Sequence, residues 1–446
     1  MKRLFGTDGI RAKAGEFPLD KKTVQKLGFS LARQFREKLG REPRFVTARD
    51  TRESGEWIEV ALQTGAAGKN AVCESAGVIT TPGVAYLTHA YNFDAGIVVS
   101  ASHNPFEDNG IKIFLPSGKK IDEDLERAIE KDTSDEMSVE AEIRELRSSR
   151  SVEFGDSYLK HLQKQSDGLS LTGKRIVVDC ANGAASEIAP KLFASLGAET
   201  IVINNSPDGK NINDNCGSLH LKNLQTKVLA ESADVGVAFD GDADRALFVN
   251  EKGEIVDGDA TLWVMAQYLK ENGQLANSMV VATVMSNIGL ELALKSKGIN
   301  LLRTDVGDKY VLEKLIETGS EIGGEQSGHI IFPTIKLVGD GMMTALLLLK
   351  AITERGISMS EAVSGFVRYP QILVNVKVKE KRPFDDLAGV AAAARQIETE
   401  LQGEGRLLLR YSGTENLARV MIEGKDQVQI EAQANRLADI IRTSLG

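Results

Sequence analysis

Apolar residues recur at helical spacing from Val24 through Leu27, Leu31 and Phe35 to Leu39, with Gly40 directly behind the last of them. That spacing predicts an amphipathic helix over 21–39 stopped by glycine. A branched apolar run predicts a strand at 44–47, followed by a helix over 54–67 and a second strand at 95–100. The alternation restarts with strand 174–179, helix 187–196 and strands 200–203 and 235–239. It restarts again with helix 259–270, strand 279–283, helix 287–297, strand 301–304 and a long helix over 341–353. Strands alternating with helices predict parallel sheets. After about residue 370 the order changes to strand 371–378, helix 384–401, strands 406–410 and 418–422, and a helix from 426. Two strands joined by a short polar turn predict antiparallel pairing there.

The charged stretch 132–150 lacks strand character and reads as a solvated helix or linker. With a prior of about 150 residues per domain, the expected class is α/β. Three similar mixed α/β domains occupy 1–150, 151–252 and 253–368, and a smaller C-terminal α+β domain occupies 369–446. The first three share element order without a clean sequence repeat.

Composition changes this picture little, since 42% hydrophobic and 26% charged residues are ordinary for a globular chain. The net charge of -9 argues against nucleic acid as a partner, while leaving room for a locally positive pocket that takes an anionic metabolite. Cys73, Cys180 and Cys216 are odd in number and unpaired in spacing, as for reduced thiols. The first residues turn polar and glycine-rich before a secretory apolar core could form, and no apolar stretch is long enough for a bilayer. A cytoplasmic chain with no membrane partner is expected.

Four stretches carry candidate chemistry. Ser102 follows an apolar strand and precedes His103 and the turn-forming pair Asn104 and Pro105, so its hydroxyl is expected at a strand's carboxyl end, where ligands bind in α/β sheets. Asp240, Asp242 and Asp244 alternate with tiny residues directly after strand 235–239. Oxygen-only ligands of that kind suit a hard cation such as Mg²⁺, and Arg245 beside them suits a phosphate that the cation also holds. An EF-hand register fails, because Arg245 stands where its loop needs glycine and strands replace its helices. Gly323 to His329 presents Glu325, Ser327 and His329 on a glycine-rich turn fit for sugar hydroxyls. Arg410, Ser412, Gly413 and Thr414 form a phosphate-cradle-like turn between the last two strands. Taken singly, each stretch has an ordinary reading as a turn or a solvated loop.

In this order, Ser100 to Pro105, Asp240 to Arg245, Gly324 to His329 and Arg410 to Glu415 together resemble the α-D-phosphohexomutases over nearly the whole chain. Within that superfamily, Arg3 to Gly9, Asn211 to Asn213 and Cys216 to Ser218 are most similar to the bacterial enzymes acting on glucosamine phosphates. The resemblance implies four domains around a central cleft, one Mg²⁺ per chain and a phosphoserine at Ser102. It also implies interconversion of glucosamine 6-phosphate and glucosamine 1-phosphate through a sugar bisphosphate, for amino-sugar and cell-wall supply. Lys112 matches the lysine given the proton-transfer duty, with a pKa expected to be lowered by cationic surroundings. His103 competes for that duty and Arg11 supports it. Lys309 stands where the family places an arginine, keeping the charge without the planar fork. Glu325, Ser327 and His329 fall to the sugar, and Arg410, Ser412, Gly413 and Thr414 to the non-reacting phosphate. Alternatives are a phosphomannomutase or phosphoglucomutase with the same machinery, and a non-catalytic sugar-phosphate sensor. A homodimer is left open.

Overall fold

The computed structural model describes residues 3–6, 8–134, 150–412 and 416–446. Its internal contacts divide the chain into two units, Met1–Thr283 with Thr304–Val363, and Val284–Arg303 with Ser364–Gly446.

In the first unit the Lys21–Leu39 helix starts where Asp20 accepts a hydrogen bond from the Thr23 amide and stops at left-handed Gly40, a capped segment at both ends. Its buried Val24, Leu27, Leu31 and Phe35 pack with the Gly55–Ala67 helix and the strands behind it into one core. The six-stranded sheet is mixed, which corrects the expectation of a parallel one. Arg44–Arg49 runs parallel to Val72–Val78 and Ala95–Val99, but Asp108–Phe114 returns antiparallel beside Ala95–Val99. The reason is local: only the eight residues 100–107 separate those last two strands, and a parallel return needs a crossover of a dozen or more residues. A second, five-stranded sheet repeats the device, with Val235–Phe239 parallel to Arg175–Asp179 and antiparallel to Ala246–Asn250. In the third, Met279–Thr283 runs parallel to Gly323–Gly324, which pairs antiparallel with Ile330–Ile331.

The start of the stretch expected as a solvated helix or linker is helical but not solvated. Asp132 lies in the Glu123–Ser134 helix, buried, accepting hydrogen bonds from Ser30 Oγ at 2.5 Å and Gln34 Nε2 at 3.0 Å and pairing with Arg33. Residues 135–149 of that stretch lie outside the described residues.

The second unit holds a three-stranded antiparallel sheet of Gln371–Lys377, Leu417–Glu423 and Arg406–Tyr411 with helices Ala388–Glu400 and Gln427–Leu445. Its core is aliphatic, built on Val376, Val420, Ile422, Leu437 and Ile441. The segment 284–303 joins this unit through buried Glu423, which accepts from the Ile288 amide at 3.2 Å and from Arg406 Nε at 2.9 Å.

Candidate active site

Two tight connections from different sheets form the centre of the site. Val99 pairs with Ile111, so the Ser102 turn closes an antiparallel pair, and Phe239 pairs with Ala246, so Asp240 to Arg245 closes another. Ser102 is buried, with left-handed backbone (φ 53°). Its Oγ donates to Asp240 Oδ2 at 2.5 Å and lies 3.2 Å from His103 Nδ1. Nucleophile and acidic loop therefore touch directly.

Asp240, Asp242 and Asp244 are all buried, each offering an oxygen within 4.8 Å of the others. Such crowding needs compensating charge. Lys112 supplies part of it, with Nζ 3.0 Å from Asp242 Oδ2, 3.1 Å from Asp244 Oδ2 and 3.4 Å from Asp8 Oδ2. This corrects the expected pKa direction at Lys112. Burial pulls its pKa down, but Asp242, Asp244 and Asp8 outweigh burial and raise it well above the ordinary lysine value. Lys112 is only 1% exposed.

His329 stands 3.4 Å from Asp244 Oδ1 through Nδ1, and despite its burial Asp244 pushes its pKa up to about 9. Burial would raise the Asp244 pKa, yet Lys112 and His329 hold it well below the usual carboxylate range. Asp240 goes the other way, raised by burial and by the charges of Asp244 and Asp242. The Thr81 hydroxyl donates to Asp242 Oδ2 at 2.5 Å and its amide to the Asp242 carbonyl at 3.0 Å.

Among the described residues, Asp242 Oδ1 is buried without a hydrogen-bond donor, and Asp244 Oδ1 meets only the 3.4 Å contact with His329 Nδ1. Leaving a buried acceptor unmet costs about 1–3 kcal/mol. An unmet oxygen within an all-carboxylate cluster fits a hard divalent cation of the Mg²⁺ kind, which takes oxygen ligands and retains open positions.

A cavity of about 450 Å³ opens beside this centre, lined among others by Arg11, His103, Asp244, Arg245, Glu325 and His329. Arg245 is held charged: burial lowers its pKa, and Asp244, Asp240 and Glu325 raise it above the ordinary value. His103 is pushed down to about 4 by burial and by Arg245 and Arg11, so its imidazole is neutral near pH 7. Glu325 accepts from the Gly307 amide at 3.1 Å and from Ser327 Oγ at 3.2 Å. Gly328 (φ 90°) lets this turn press against the next sheet, since a Cβ there would come within 2.4 Å of the Ala246 carbonyl oxygen.

Arg11, Ser102, His103, Lys112, the three aspartates, Arg245, Glu325, Ser327 and His329 thus gather in the first unit. Lys309 does not line the cavity, and its Nζ pairs with Glu123 Oε1 at 2.9 Å. Arg410 and Ser412 belong to the second unit. Arg410 stands opposite Arg419 in the sheet, and the Ser412 amide donates to the Leu417 carbonyl at 2.8 Å. Gly413 and Thr414 lie outside the described residues.

Sequence reasoning missed Asp8, Lys120 and Asp308. Lys120 bridges Asp8 and Asp308, the latter at 2.6 Å, and Asp8 also accepts from Arg11 at 2.5 Å. Only the three-residue spacing of Asp8 and Arg11 hinted at this network.

Four family models match in chain order. They are the phosphoglucomutase/phosphomannomutase alpha/beta/alpha domains I (2–140), II (156–253) and III (257–369), and the C-terminal domain of the same proteins (373–440). The chain is 47% identical over 447 residues to the phosphoglucosamine mutase of Solibacter usitatus, covering 100% of this chain and 99% of the relative. It is 45% identical over 453 residues to the enzyme of the same name from Caldicellulosiruptor bescii, covering 100% of both. Among solved structures, a phosphoglucomutase/phosphomannomutase family protein of Burkholderia thailandensis superposes with a TM-score of 0.80 at 23% identity, covering 100% of this chain and 98% of that one. Aspergillus fumigatus N-acetylphosphoglucosamine mutase, in complex with GlcNAc-6P and magnesium, superposes with a TM-score of 0.70 at 18% identity, covering 99% and 96%.

Proposed function

The chain belongs to the phosphoglucomutase/phosphomannomutase family, and on that premise we propose that it interconverts glucosamine 6-phosphate and glucosamine 1-phosphate. The route runs through phosphorylated Ser102 and glucosamine 1,6-bisphosphate, and the product feeds UDP-N-acetylglucosamine and cell-wall synthesis. The observation that carries this reading is the buried contact of Ser102 Oγ with Asp240 at 2.5 Å, beside a cavity walled by Arg11, Arg245 and His329. The full-length relatives named phosphoglucosamine mutase support the choice of sugar.

The phosphoryl group on Ser102 is transferred to the free hydroxyl of the bound sugar phosphate. The bisphosphate then reorients and returns its other phosphate to Ser102, so the net change is an isomerisation. One Mg²⁺ per chain, held by Asp240, Asp242, Asp244 and a phosphoserine oxygen, would neutralise charge on the transferring group. Arg245 and Arg11 bring guanidinium groups to the cavity wall, suited to phosphate oxygens. Lys112 balances the aspartates as a held cation. When the phosphoryl group leaves Ser102, the serine oxygen must regain a proton, and the acceptor hydroxyl must lose one. His103 Nδ1 lies 3.2 Å from Oγ and, neutral near pH 7, can take a proton from a hydroxyl and hand it on. Glu325, Ser327 and His329 are assigned to the sugar, Lys309 to phosphate or sugar contact at its loop, and Arg410, Ser412, Gly413 and Thr414 to the non-reacting phosphate. Four domains with bounds near 150, 252 and 368 divide these duties.

No helix of the described residues is long and apolar enough to cross a membrane, and all three cysteines are free. We assign the enzyme to the cytoplasm, acting on small molecules and not on nucleic acid. Mass spectrometry should find phosphate on Ser102 in a fraction of molecules, and Ser102→Ala should lose it together with mutase turnover. Normal turnover by that variant sinks the mechanism. Glucosamine phosphates should outperform glucose and mannose phosphates; the reverse order would move the assignment to a phosphoglucomutase or phosphomannomutase.

A further inference from the structure

Ser102 sits in a backbone region that L-residues rarely adopt, and something must hold it there. Its own side chain is a poor candidate. The Oγ–Asp240 hydrogen bond needs the hydroxyl proton, which phosphorylation removes. A carrier that alternates between the two forms needs a hold that ignores Oγ.

Two buried side chains supply such a hold. Arg52 is 2% exposed and commits all five guanidinium N–H donors without reaching the cavity. Its Nε donates to Asp50 Oδ2 at 2.9 Å. Its Nη2 donates to the carbonyls of Ser102 at 3.0 Å and Asn104 at 2.8 Å, and its Nη1 to those of Asp108 at 3.0 Å and Pro105. Asn213 comes from a different sheet's loops, and its Nδ2 donates to the same two carbonyls, Ser102 at 2.9 Å and Asn104 at 3.1 Å. Each carbonyl therefore uses both lone pairs. Asp50 completes the frame by accepting from Ser100 Oγ at 2.6 Å, while Ser100 Oγ accepts from the Ser102 amide at 2.9 Å. Gly241 closes the remaining side, where a Cβ would lie 2.6 Å from the Ser102 carbonyl oxygen.

The geometry points to Arg52 and Asn213 as positioning residues for phosphoryl transfer, a two-sided carbonyl clamp that keeps Ser102 aimed at the acidic loop in both its phosphorylated and free forms. This rests on the proposed phosphoserine mechanism. Because the Asp50–Arg52 pair is neutral as a unit and lies off the cavity, the clamp acts on the serine backbone and not on phosphate or sugar. It also gives a duty to Asn213, a residue of the Asn211 to Asn213 motif that no other part of the mechanism uses.

The test is single-turnover kinetics on the full chain. Wild type, Asn213→Gly, Asn213→Asp and Arg52→Lys are phosphorylated with glucose 1,6-bisphosphate, phosphate on Ser102 is counted by mass spectrometry, and its transfer to glucosamine 6-phosphate is timed per phosphoserine. Asn213 has φ 59°, so glycine removes the donor without backbone strain, and aspartate turns an acceptor toward the two carbonyls. The expected result is a per-phosphoserine rate lower by roughly 10- to 100-fold, with KM unchanged. A merely structural role would reduce the amount of phosphorylated enzyme and leave that rate alone. Should Arg52→Lys fail to fold, the Asn213 pair decides. An active wild type with Asn213 variants of equal per-phosphoserine rate overturns the clamp alone, whereas an inactive wild type without phosphate on Ser102 overturns the proposed function and the clamp with it.

Discussion

Two places in the first unit bury charge, and they do so in opposite ways. Around Asp240 to Arg245, three carboxylates meet Lys112, His329 and Arg245, yet among the described residues buried Asp242 Oδ1 still lacks a donor and a cavity opens alongside. Around Lys336, one ammonium faces one carboxylate, Asp340, at 3.5 Å, donates to the Pro82 carbonyl at 2.8 Å and lies 5.0 Å from the Tyr158 ring centroid and 5.5 Å from that of Tyr86. Asp340 in turn accepts from Tyr158 at 2.8 Å and caps the Gly341–Arg355 helix through the Met343 amide. The first cluster is unfinished and open, and the second is closed by aromatic rings. Burial alone does not mark function; an unmet acceptor in a carboxylate cluster beside a cavity does.

Breaking each cluster should therefore read out differently. Asp240→Asn removes like-charge repulsion along with a ligand, so turnover should fall roughly 1,000-fold or more while thermal stability holds or rises. Activity assays and thermal melts on the same preparation check this, and a large loss of stability would place the triad with the structural cluster. Lys336→Met strips Asp340 of its cation and should cost about 3 kcal/mol in urea unfolding, with activity per folded molecule retained. Thr81→Val removes the hydroxyl on Asp242 and should weaken Mg²⁺ binding roughly 10-fold, measured by calorimetry, without moving the urea midpoint much.

The smallest effect concerns His161, stacked on Tyr86 at 4.3 Å beside the Lys336 cluster. Burial and then Lys336 push its pKa down to about 4. Folding therefore favours the neutral ring, and below the unfolded value near 6.5 the unfolded chain binds the extra proton. Its contribution is present above pH 6.5 and is lost as pH falls toward 4. His161→Phe keeps the stacking and should flatten that part of the stability profile; an unchanged acid slope would show that the ring does not titrate in this window.

Much of the first cluster was legible in the chain, because its ligands lie within one hairpin. Asp240, Asp242 and Asp244 alternate over five positions, and Ser102 follows an unmistakable apolar strand. The second cluster was invisible. Tyr86 and Tyr158 sit on separate helices far along the chain from Lys336 and Asp340, whose four-residue spacing alone does not announce the rings around them. Lys112 shows the intermediate case: its strand could be read, but its neighbours along the chain are Ile111 and Ile113, so nothing local announced that Asp242 and Asp244 would raise its pKa. Asp132 is similar, a charge within a charged run that burial against Ser30 and Arg33 set apart.

By itself the amino-acid sequence determined the helices and strands with strong period, the turns that carry Ser102 and the three aspartates, and the family to which they point, since these depend on residues near one another in the chain. Only the tertiary structure decided the pairing of Lys309 with Glu123, the charge state of Lys112 and the hold of Arg52 and Asn213 on the Ser102 turn. Those depend on which groups face each other across different sheets, and electrostatics and hydrogen bonding act over a few ångströms of space, whatever the separation along the chain.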